Sequence, residues 1–418
     1  MTRNVLVIGA GPVGLCLSLA LARRGLDVDL VEQQSAELLA APAFDGREIA
    51  LDRASRRLLR ELGVWERIPS DGIAPVSRAR IMDGAGAGFE INGEAFGQDG
   101  LGVLVSNHLI RTAAWQAAAK QPRVRVHTGV SVDSVSIDAV TARARLADGG
   151  VLEAPLLVAA DGRFSGTRRS MGIAAHMRDF GASMLACRMR HAQANDGTAW
   201  EWFGRGQTRA LLPLGEHLSS VVLTLPDREA RELVDLSPGA LAEEIAARYE
   251  GRLGAMQLAS TVHRYPLVAT WAHRFVAKRF ALAGDAAVGM HPVTAHGFNL
   301  GLASVEHLAE AAGAGLQRYG DPAHPALLAR YQRRQRMSSA LLFAGTQTLV
   351  GVFTSSRGVM QPLRQAVMQA GRKLPVLRRA LAASVLDGSP RPATVARHVR
   401  TIVDVLRPRL RASAKVYP

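Results

Sequence analysis

The amino-terminal part of the chain alternates between apolar runs and polar breaks in the order strand, turn, helix, strand. Residues 4–9 are a short apolar run with several β-branched side chains, which predicts a buried strand. Residues 13–24 are rich in Ala and Leu and end at Gly25, which predicts a helix. A second apolar run at residues 27–31 predicts another strand, so we expect the chain to begin with a strand–helix–strand unit.

Similar patterns recur along the rest of the chain. Two more apolar runs, residues 156–160 and 280–283, predict buried strands that end beside an acidic residue. Four alternating segments predict an antiparallel sheet in the middle of the chain, at residues 184–189, 199–203, 209–214 and 218–225. Shorter strands are predicted at residues 76–83 and 89–92, and a β-meander at residues 124–127, 131–137 and 141–146. Helices are predicted over residues 45–63, 106–119, 237–249 and 297–316.

The turn between the first strand and the first helix has the spacing G-x-G-x-x-G, with glycines at Gly9, Gly11 and Gly14. The first glycine allows a tight turn, the second lets the backbone approach a pyrophosphate, and the third lets the helix pack on the strand. The helix then directs its free N–H groups and positive dipole end at the phosphates. Glu32, at the end of the second strand, is placed to accept hydrogen bonds from an adenosine ribose. A glycine turn without a ligand is the alternative, but the whole order of elements favours a dinucleotide site.

Composition and charge limit the class of protein. The 418 residues are enough for a large core and two domains, and the two cysteines, Cys16 and Cys187, argue against a disulfide framework and fit a reducing cytoplasm. The chain enters a strand at once, so no signal peptide is expected. The net charge is +15, and residues 330–418 account for it with 17 basic and two acidic residues. Such a tail indicates an anionic partner, either phospholipid or nucleic acid, but no zinc spacing or nucleic-acid-reading motif supports the second.

Residues 337–356 form a stretch of 20 residues without charge. This is long enough to span a bilayer, but it contains several Ser, Thr, Gln and Gly residues, which argue against a span. A helix lying on the protein or on a membrane face is the better interpretation. Later apolar segments of the tail also lie beside basic residues, which suits either amphipathic helices packed on the body or membrane contact.

Three separated elements of the chain occur in a characteristic order and spacing. They are the glycine turn with Glu32, the Asp161-Gly162 pair after its strand, and the segment GDAAVGMHPVTAHGFNLGL that begins at Gly284. Residues 4–340 thereby resemble the FAD-dependent aromatic hydroxylases typified by p-hydroxybenzoate hydroxylase. The phrases AFDGREIAL, LVSNHLIRTAAWQAA and ALLPL are most similar to the ubiquinone-biosynthesis hydroxylases, in particular to their 5-demethoxyubiquinol 5-hydroxylase branch.

The resemblance implies roles for residues of the first half. Those expected to hold the ADP half of FAD are Gly9, Gly11, Gly14 and Glu32. Arg47 matches an arginine that reaches the flavin pyrophosphate; a surface arginine that pairs with a neighbouring acid is the alternative. Asn107 matches a position beside the ribityl chain; a helix N-cap alone is the alternative.

It also implies roles for later residues. Asp161 and Gly162 match a motif used for both FAD and the nicotinamide donor, and Asp285, after Gly284, matches the acid that binds the ribitol, although an N-cap is possible there. The loop expected against the isoalloxazine ring contains Pro292, Gly297, Phe298 and Asn299. The catalytic residue stays unknown: Pro292, His291 and His296 are candidates at the flavin face. For each histidine a satisfied loop residue is the favoured interpretation, because the sequence assigns it no carboxylate partner.

The implied fold class is α/β. It has a Rossmann-like FAD-binding domain, an inserted antiparallel β-sheet substrate domain and a helical, basic C-terminal tail. The FAD-binding domain comprises residues 1–75, 100–178 and 272–330. The substrate domain comprises residues 76–99 and 179–271, and the tail residues 331–418.

The implied enzyme is an FAD-dependent monooxygenase that uses NADH or NADPH and O₂, and hydroxylates an electron-rich ring through a flavin C4a-hydroperoxide. The expected substrate is a polyprenyl phenol or quinol of ubiquinone biosynthesis. We expect a cytoplasmic protein, peripheral on the inner face of the membrane through its tail, with other quinone-biosynthesis proteins as candidate partners and no nucleic acid or metal. Alternatives are a hydroxylase of a soluble aromatic or polyketide and an FAD-dependent reductase of prenyl double bonds. A flavin halogenase is disfavoured, because the segment at Trp200 lacks the lysine and the Ile-Pro of that motif.

Overall fold

The computed structural model describes residues 4–83, 88–93, 100–204, 207–291 and 297–354. The strands are β1 (Asn4–Ile8), β2 (Asp27–Val31), β3 (Glu48–Leu51), β4 (Ile73–Val76), β5 (Arg78–Asp83), β6 (Phe89–Asn92), β7 (Gly102–Ser106), β8 (Val124–His127), β9 (Val132–Ile137), β10 (Ala142–Leu146), β11 (Val151–Ala154), β12 (Leu156–Ala159), β13 (Ala175–His191), β14 (Thr198–Gly204), β15 (Gln207–Gly215), β16 (Leu218–Pro226), β17 (Met256–Leu258), β18 (His263–Ala272), β19 (Val276–Ala277), β20 (Phe280–Leu282) and β21 (Val288–Gly289). The helices are α1 (Pro12–Ala22), α2 (Ala36–Ala40), α3 (Arg53–Glu61), α4 (Asn107–Ala119), α5 (Gly166–Ser170), α6 (Asp227–Val234), α7 (Pro238–Arg248), α8 (Gly297–Tyr319) and α9 (Pro325–Thr354).

The first sheet has the order β19-β20-β12-β1-β2-β8, and all its pairs are parallel except β19 with β20. Its central strands are apolar on both faces, and Val5, Leu6 and Val7 are fully buried. This fits a parallel sheet that is covered on both faces. The predicted strand–helix–strand unit and the strands predicted at residues 156–160 and 280–283 are therefore confirmed, and their carboxyl ends lie at one edge.

Two segments differ from the sequence-based expectation because their pairing is long-range. Residues 124–127 form β8 of the first sheet, parallel to β2, rather than the start of a meander; β9, β10 and β11 form the antiparallel sheet instead. Residues 45–63 are not one helix. They contain β3, which pairs with β7, and α3, which begins after Asp52 because the side chain of Asp52 accepts a hydrogen bond from the Ser55 N–H at 2.7 Å.

The large sheet has the order β21-β18-β13-β16-β15-β14-β5-β6, with β17 paired to β13. Its pairs are antiparallel except β14 with β5, so the four strands predicted in the middle of the chain are present as β13 to β16. Side chains alternate between its faces. The outer face packs on α6 and α7 through residues such as Leu185, Cys187, Trp202, Leu211 and Leu241. The inner face includes Met184, Ala186 and Leu267. The proposed division into domains stays a prediction.

The helices α8 and α9 pack together beside the first sheet. The buried Tyr331 hydroxyl donates to the Leu282 carbonyl oxygen at 2.6 Å, and His307 Nδ1 lies 2.8 Å from Gln335 Oε1. Among the helices that the structure describes, none is long and apolar enough to cross a bilayer. The uncharged stretch continues beyond the end of α9, and the basic residues 355–418 lie outside the described residues.

Gly14 determines how closely α1 packs on β1. A Cβ at Gly14 would lie 1.9 Å from the carbonyl oxygen of Gly9, whereas one at Gly11 would meet no atom within 4 Å. We expect Gly14→Ala to lower the free energy of unfolding by about 3 kcal/mol, because α1 must move away from β1. Gly11→Ala is the matched control and should leave the stability of the apoprotein unchanged. Urea unfolding of both variants measures this, and equal stability would contradict the packing role of Gly14.

Candidate cofactor site

A cleft of about 960 Å³ opens at the carboxyl edge of the first sheet. Ligands of open α/β sheets bind at this edge. The predicted site residues that line the cleft are Gly9, Gly11, Glu32, Arg47, Asn107, Asp161, Gly162, Asp285, His291, Gly297 and Phe298. Three predicted site residues do not line the cleft although the structure describes them: Gly14, Gly284 and Asn299. Pro292 and His296 lie outside the described residues.

The glycine turn leaves the amino end of α1 open to the cleft. Gly9 has a positive φ of 102° and donates its N–H to the Val31 carbonyl oxygen at 2.8 Å, which ties the turn to β2. Gly11 is the N-cap of α1, and no side chain caps the helix there. The first N–H groups of α1 are therefore available to an anion. Gly284 serves packing, since a Cβ on it would lie 3.0 Å from the side chain of Val13.

Glu32 connects the turn to the end of β2. Its Oε2 accepts from the Ala10 N–H at 2.7 Å and its Oε1 from the Gln34 N–H at 3.0 Å. These backbone donors hold the carboxylate at the floor of the cleft, which is where a ribose acceptor is predicted.

Arg47 and Asn107 meet at one carboxylate. Arg47 Nε donates to Asp45 Oδ2 at 3.0 Å, and Asn107 Nδ2 donates to the same oxygen at 2.7 Å. Burial raises the pKa of Asp45, but the charge of Arg47 and the hydrogen bonds from Arg47 and Asn107 outweigh it and lower the pKa. Arg47 thus pairs with a neighbouring acid, and its half-exposed guanidinium also lines the cleft. The helix cap predicted at Asn107 is wrong: Ser106 is the N-cap of α4, and Asn107 turns its amide to Asp45 instead.

Three cleft arginines were not predicted as site residues. They are Arg111, Arg163 and Arg169. Arg111 follows Asn107 by four residues, a spacing that places two helical side chains on one face and could have indicated it. Its Nη2 donates to Gln34 Oε1 at 3.0 Å. The cleft therefore combines a helix amino end with several cations.

The two predicted aspartates have different surroundings. Asp161 Oδ2 accepts from the Thr167 N–H at 3.1 Å, whereas its Oδ1 is buried and accepts no hydrogen bond from any residue that the structure describes. Asp285 Oδ2 accepts from Arg163 Nε and Nη2 at 3.2 and 2.9 Å. Asp285 lies within the 3-10 turn Gly284–Ala286 rather than at an N-cap.

Of the residues after β21 and at the start of α8, some line the cleft and others face away from it. His291 is only 3% exposed, and its ring lies edge-on to Phe180 with centroids 4.9 Å apart. Burial, with the charges of Arg163 and Arg178, lowers its pKa to about 4, so its imidazole is neutral at pH 7. Asn299 faces away from the cleft and joins α8 to β3, because its Nδ2 donates to the Ala50 carbonyl oxygen at 2.9 Å.

The comparisons with known proteins agree with this geometry. The model of a family described as "FAD binding domain" matches residues 2–344. The chain belongs to this family of FAD-binding proteins. Ubiquinone hydroxylase UbiM of Neisseria meningitidis is 42% identical over 90% of this chain and 83% of its own. Ubiquinone hydroxylase UbiL of Rhodospirillum rubrum is 33% identical over 95% of this chain and 93% of its own. The predicted resemblance to the ubiquinone-biosynthesis hydroxylases, and with it the class of FAD-dependent monooxygenases, is confirmed.

Solved structures show the same fold. The p-nitrophenol 4-monooxygenase PnpA from Pseudomonas putida DLL-E4 superposes with a TM-score of 0.72 at 22% identity, over 90% of this chain and 96% of its own. The predicted mixture of helices and strands is therefore that of FAD-dependent hydroxylases.

The residues of the cleft fit the cofactor of this FAD-binding family. The open space at Gly11 can receive a phosphate, and the buried, unpaired Oδ1 of Asp161 is an acceptor that a ligand hydroxyl or amide could satisfy. Four arginines, Arg47, Arg111, Arg163 and Arg169, make the lining of the cleft cationic, which suits a cofactor with a diphosphate.

The lowered pKa of His291 predicts a pH-dependent stability. The unfolded chain takes up a proton at this imidazole near its ordinary pKa of 6.5, whereas the folded protein does so only near 4. The neutral imidazole therefore contributes to the free energy of unfolding above pH 6.5. This contribution is lost as the pH falls toward 4, by about 3 kcal/mol at pH 4. We expect the free energy of unfolding of His291→Gln to fall less steeply over this range than that of the wild-type apoprotein. Parallel pH profiles would contradict the buried, neutral state.

Proposed function

We propose that this protein hydroxylates the ring of a polyprenyl phenol or quinol intermediate of ubiquinone biosynthesis, with NADH or NADPH as electron donor and O₂ as oxidant. The observation that carries the proposal is the 42% identity to a ubiquinone hydroxylase over 90% of the chain. When bound, FAD supplies the redox chemistry that connects the nicotinamide donor to O₂. The protein has to bind the cofactor, orient the ring and exclude water.

The residues of the cleft suit each part of FAD in turn. The amino end of α1 and the cations Arg47 and Arg111 would hold the diphosphate, and Glu32 would accept from the ribose. Both hydrogen bonds that Arg163 donates to Asp285 end on Oδ2, which would leave Oδ1 as the acceptor for a ribitol hydroxyl. Gly297 and Phe298, at the start of α8, would border the ring system.

The inner face of the large sheet would cover the substrate ring. Phe180 packs with Met184, Ala186 and Leu267 of this face and also contacts His291 of the cleft. The apolar face therefore borders the flavin end of the site, where a water-poor pocket favours oxygen transfer over side reactions. With its pKa near 4, His291 would hydrogen-bond as a neutral imidazole rather than take a phenolic proton.

The test of this function is mass spectrometry of quinone extracts from cells with and without the gene. We expect the deletion to accumulate a polyprenyl intermediate that lacks one ring oxygen, and the structure of that intermediate names the carbon hydroxylated. The wild-type gene should restore the profile, whereas the Gly11→Ala gene should restore it poorly, because its methyl group occupies the phosphate position. An unchanged profile, in cells without a redundant hydroxylase, would reject the quinone substrate in favour of a soluble aromatic one.

Peripheral membrane contact is the second part of the proposal. Residues 355–418 contain 13 basic and two acidic residues, and each basic residue near an anionic surface contributes roughly 1 kcal/mol. Docking of this segment on the cytoplasmic face of the membrane would bring the cleft near a substrate dissolved in the bilayer.

Sedimentation with liposomes tests this contact. A chain truncated after Thr354 keeps the buried Tyr331 and Gln335 of α9, so it should fold and retain FAD. We expect the full chain to bind vesicles that contain anionic phospholipid and to release them at high salt. It should not bind neutral vesicles. The truncated chain should bind neither. Salt-insensitive binding by the full chain, or equal binding by the truncated chain, would contradict the electrostatic contact.

A further inference from the structure

We propose that Arg188, on β13 of the large sheet, is a positioning residue for the cofactor site: through the carboxylate of Glu48 it holds residues 44–48 so that Arg47 faces the cleft. This inference rests on the proposed use of FAD. It assigns to the large sheet a role in cofactor binding in addition to covering the substrate.

The carboxylate of the Arg188–Glu48 ion pair is buried, and both of its oxygens accept hydrogen bonds. The Glu48 side chain is 1% exposed and that of Arg188 is 26% exposed. Glu48 Oε1 accepts from Arg188 Nε and Nη2 at 2.9 and 2.8 Å, and its Oε2 accepts from the Ser106 hydroxyl at 2.7 Å. Arg188 Nη2 also donates to the Ser106 oxygen. Removal of one partner would leave a buried charge without compensation.

The other residues of the 44–48 segment also contact the large sheet. The guanidinium of Arg188 lies over the ring of Phe44, 4.6 Å from its centroid. The Tyr265 hydroxyl donates to the Asp45 carbonyl oxygen at 2.7 Å. Gly46 has a positive φ of 73°, and a Cβ on it would lie 3.1 Å from the carbonyl oxygen of Ala186. The sheet therefore contacts this segment at each of these residues as well as at Glu48.

Because side chains alternate in direction along this segment, its contact with the sheet also affects the residues that line the cleft. Arg47 and Ile49 line the cleft, whereas Glu48, between them, points to the large sheet. A shift of Glu48 along or away from the sheet must therefore move Arg47 relative to the cofactor. No residue of β13 lines the cleft itself, within the part of the chain described, so Arg188 acts there through what it contacts, which is this segment and Ser106, the neighbour of the cleft residue Asn107.

A double-mutant cycle on FAD affinity tests the proposal. The dissociation constant of FAD is measured by flavin fluorescence for the full-length apoproteins of wild type, Arg188→Met, Arg47→Ala and the double variant. We expect Arg188→Met to raise the dissociation constant about tenfold in the wild-type background and by less than about twofold in the Arg47→Ala background. A general loss of stability would act equally in both backgrounds. Arg188→Lys, which keeps the charge but not the paired donors, should give an intermediate value.

Arg248→Met is the matched control, because Arg248 is 17% exposed and pairs with Glu229 and Glu244 near the outer face of the same sheet. It should lower the melting temperature without changing FAD affinity. Equal effects of Arg188→Met in both backgrounds, or no effect in either, would overturn the inference while the proposed function stands. If Arg188→Met does not fold, the same criteria apply to Arg188→Lys. A wild-type protein that binds no FAD would reject the proposed function and the inference with it.

Discussion

The close approach of α1 to the first sheet is the contact on which the site depends. Gly14 allows the helix to rest on the carbonyl oxygen of Gly9, and on the other side Gly284 and Gly301 approach Val13 of the same helix. Larger side chains at these positions would push α1 away from β1 and α8. The helix amino end would then no longer lie at the carboxyl edge of the parallel strands, where its N–H groups can bind a phosphate.

Ion pairs within the protein offset part of the positive charge that the arginines bring to the cleft. Arg47 pairs with Asp45 and Arg163 with Asp285, so two of the four arginines that line the cleft have a carboxylate partner. Both pairs are partly exposed, and exposed ion pairs contribute little to stability. A diphosphate could therefore compete for Arg47, and the protein need not break a strong internal bond to bind it.

The large sheet meets residues at or beside the cleft at a few named contacts. Glu48 binds Arg188, Asp45 binds Tyr265, and His291 packs against Phe180. Each contact joins a residue at or beside the cleft to the inner face of the large sheet. The apolar face that would shelter the substrate ring thus also supports the segment that would present Arg47 to the cofactor.

The sequence by itself determined the elements whose signals are local. The glycine turn, β1, α1, β2 and the acids at the ends of strands follow from residues close together in the chain, because tight turns and buried runs require particular side chains. Only the tertiary structure decided which distant segments pair. It placed β8 beside β2, made residues 48–51 a strand against β7, turned Asn299 toward Ala50 and brought Arg188 to Glu48, 140 residues away. These contacts depend on long-range register and on burial, and no local pattern in the chain encodes the partner of a strand or of a buried charge.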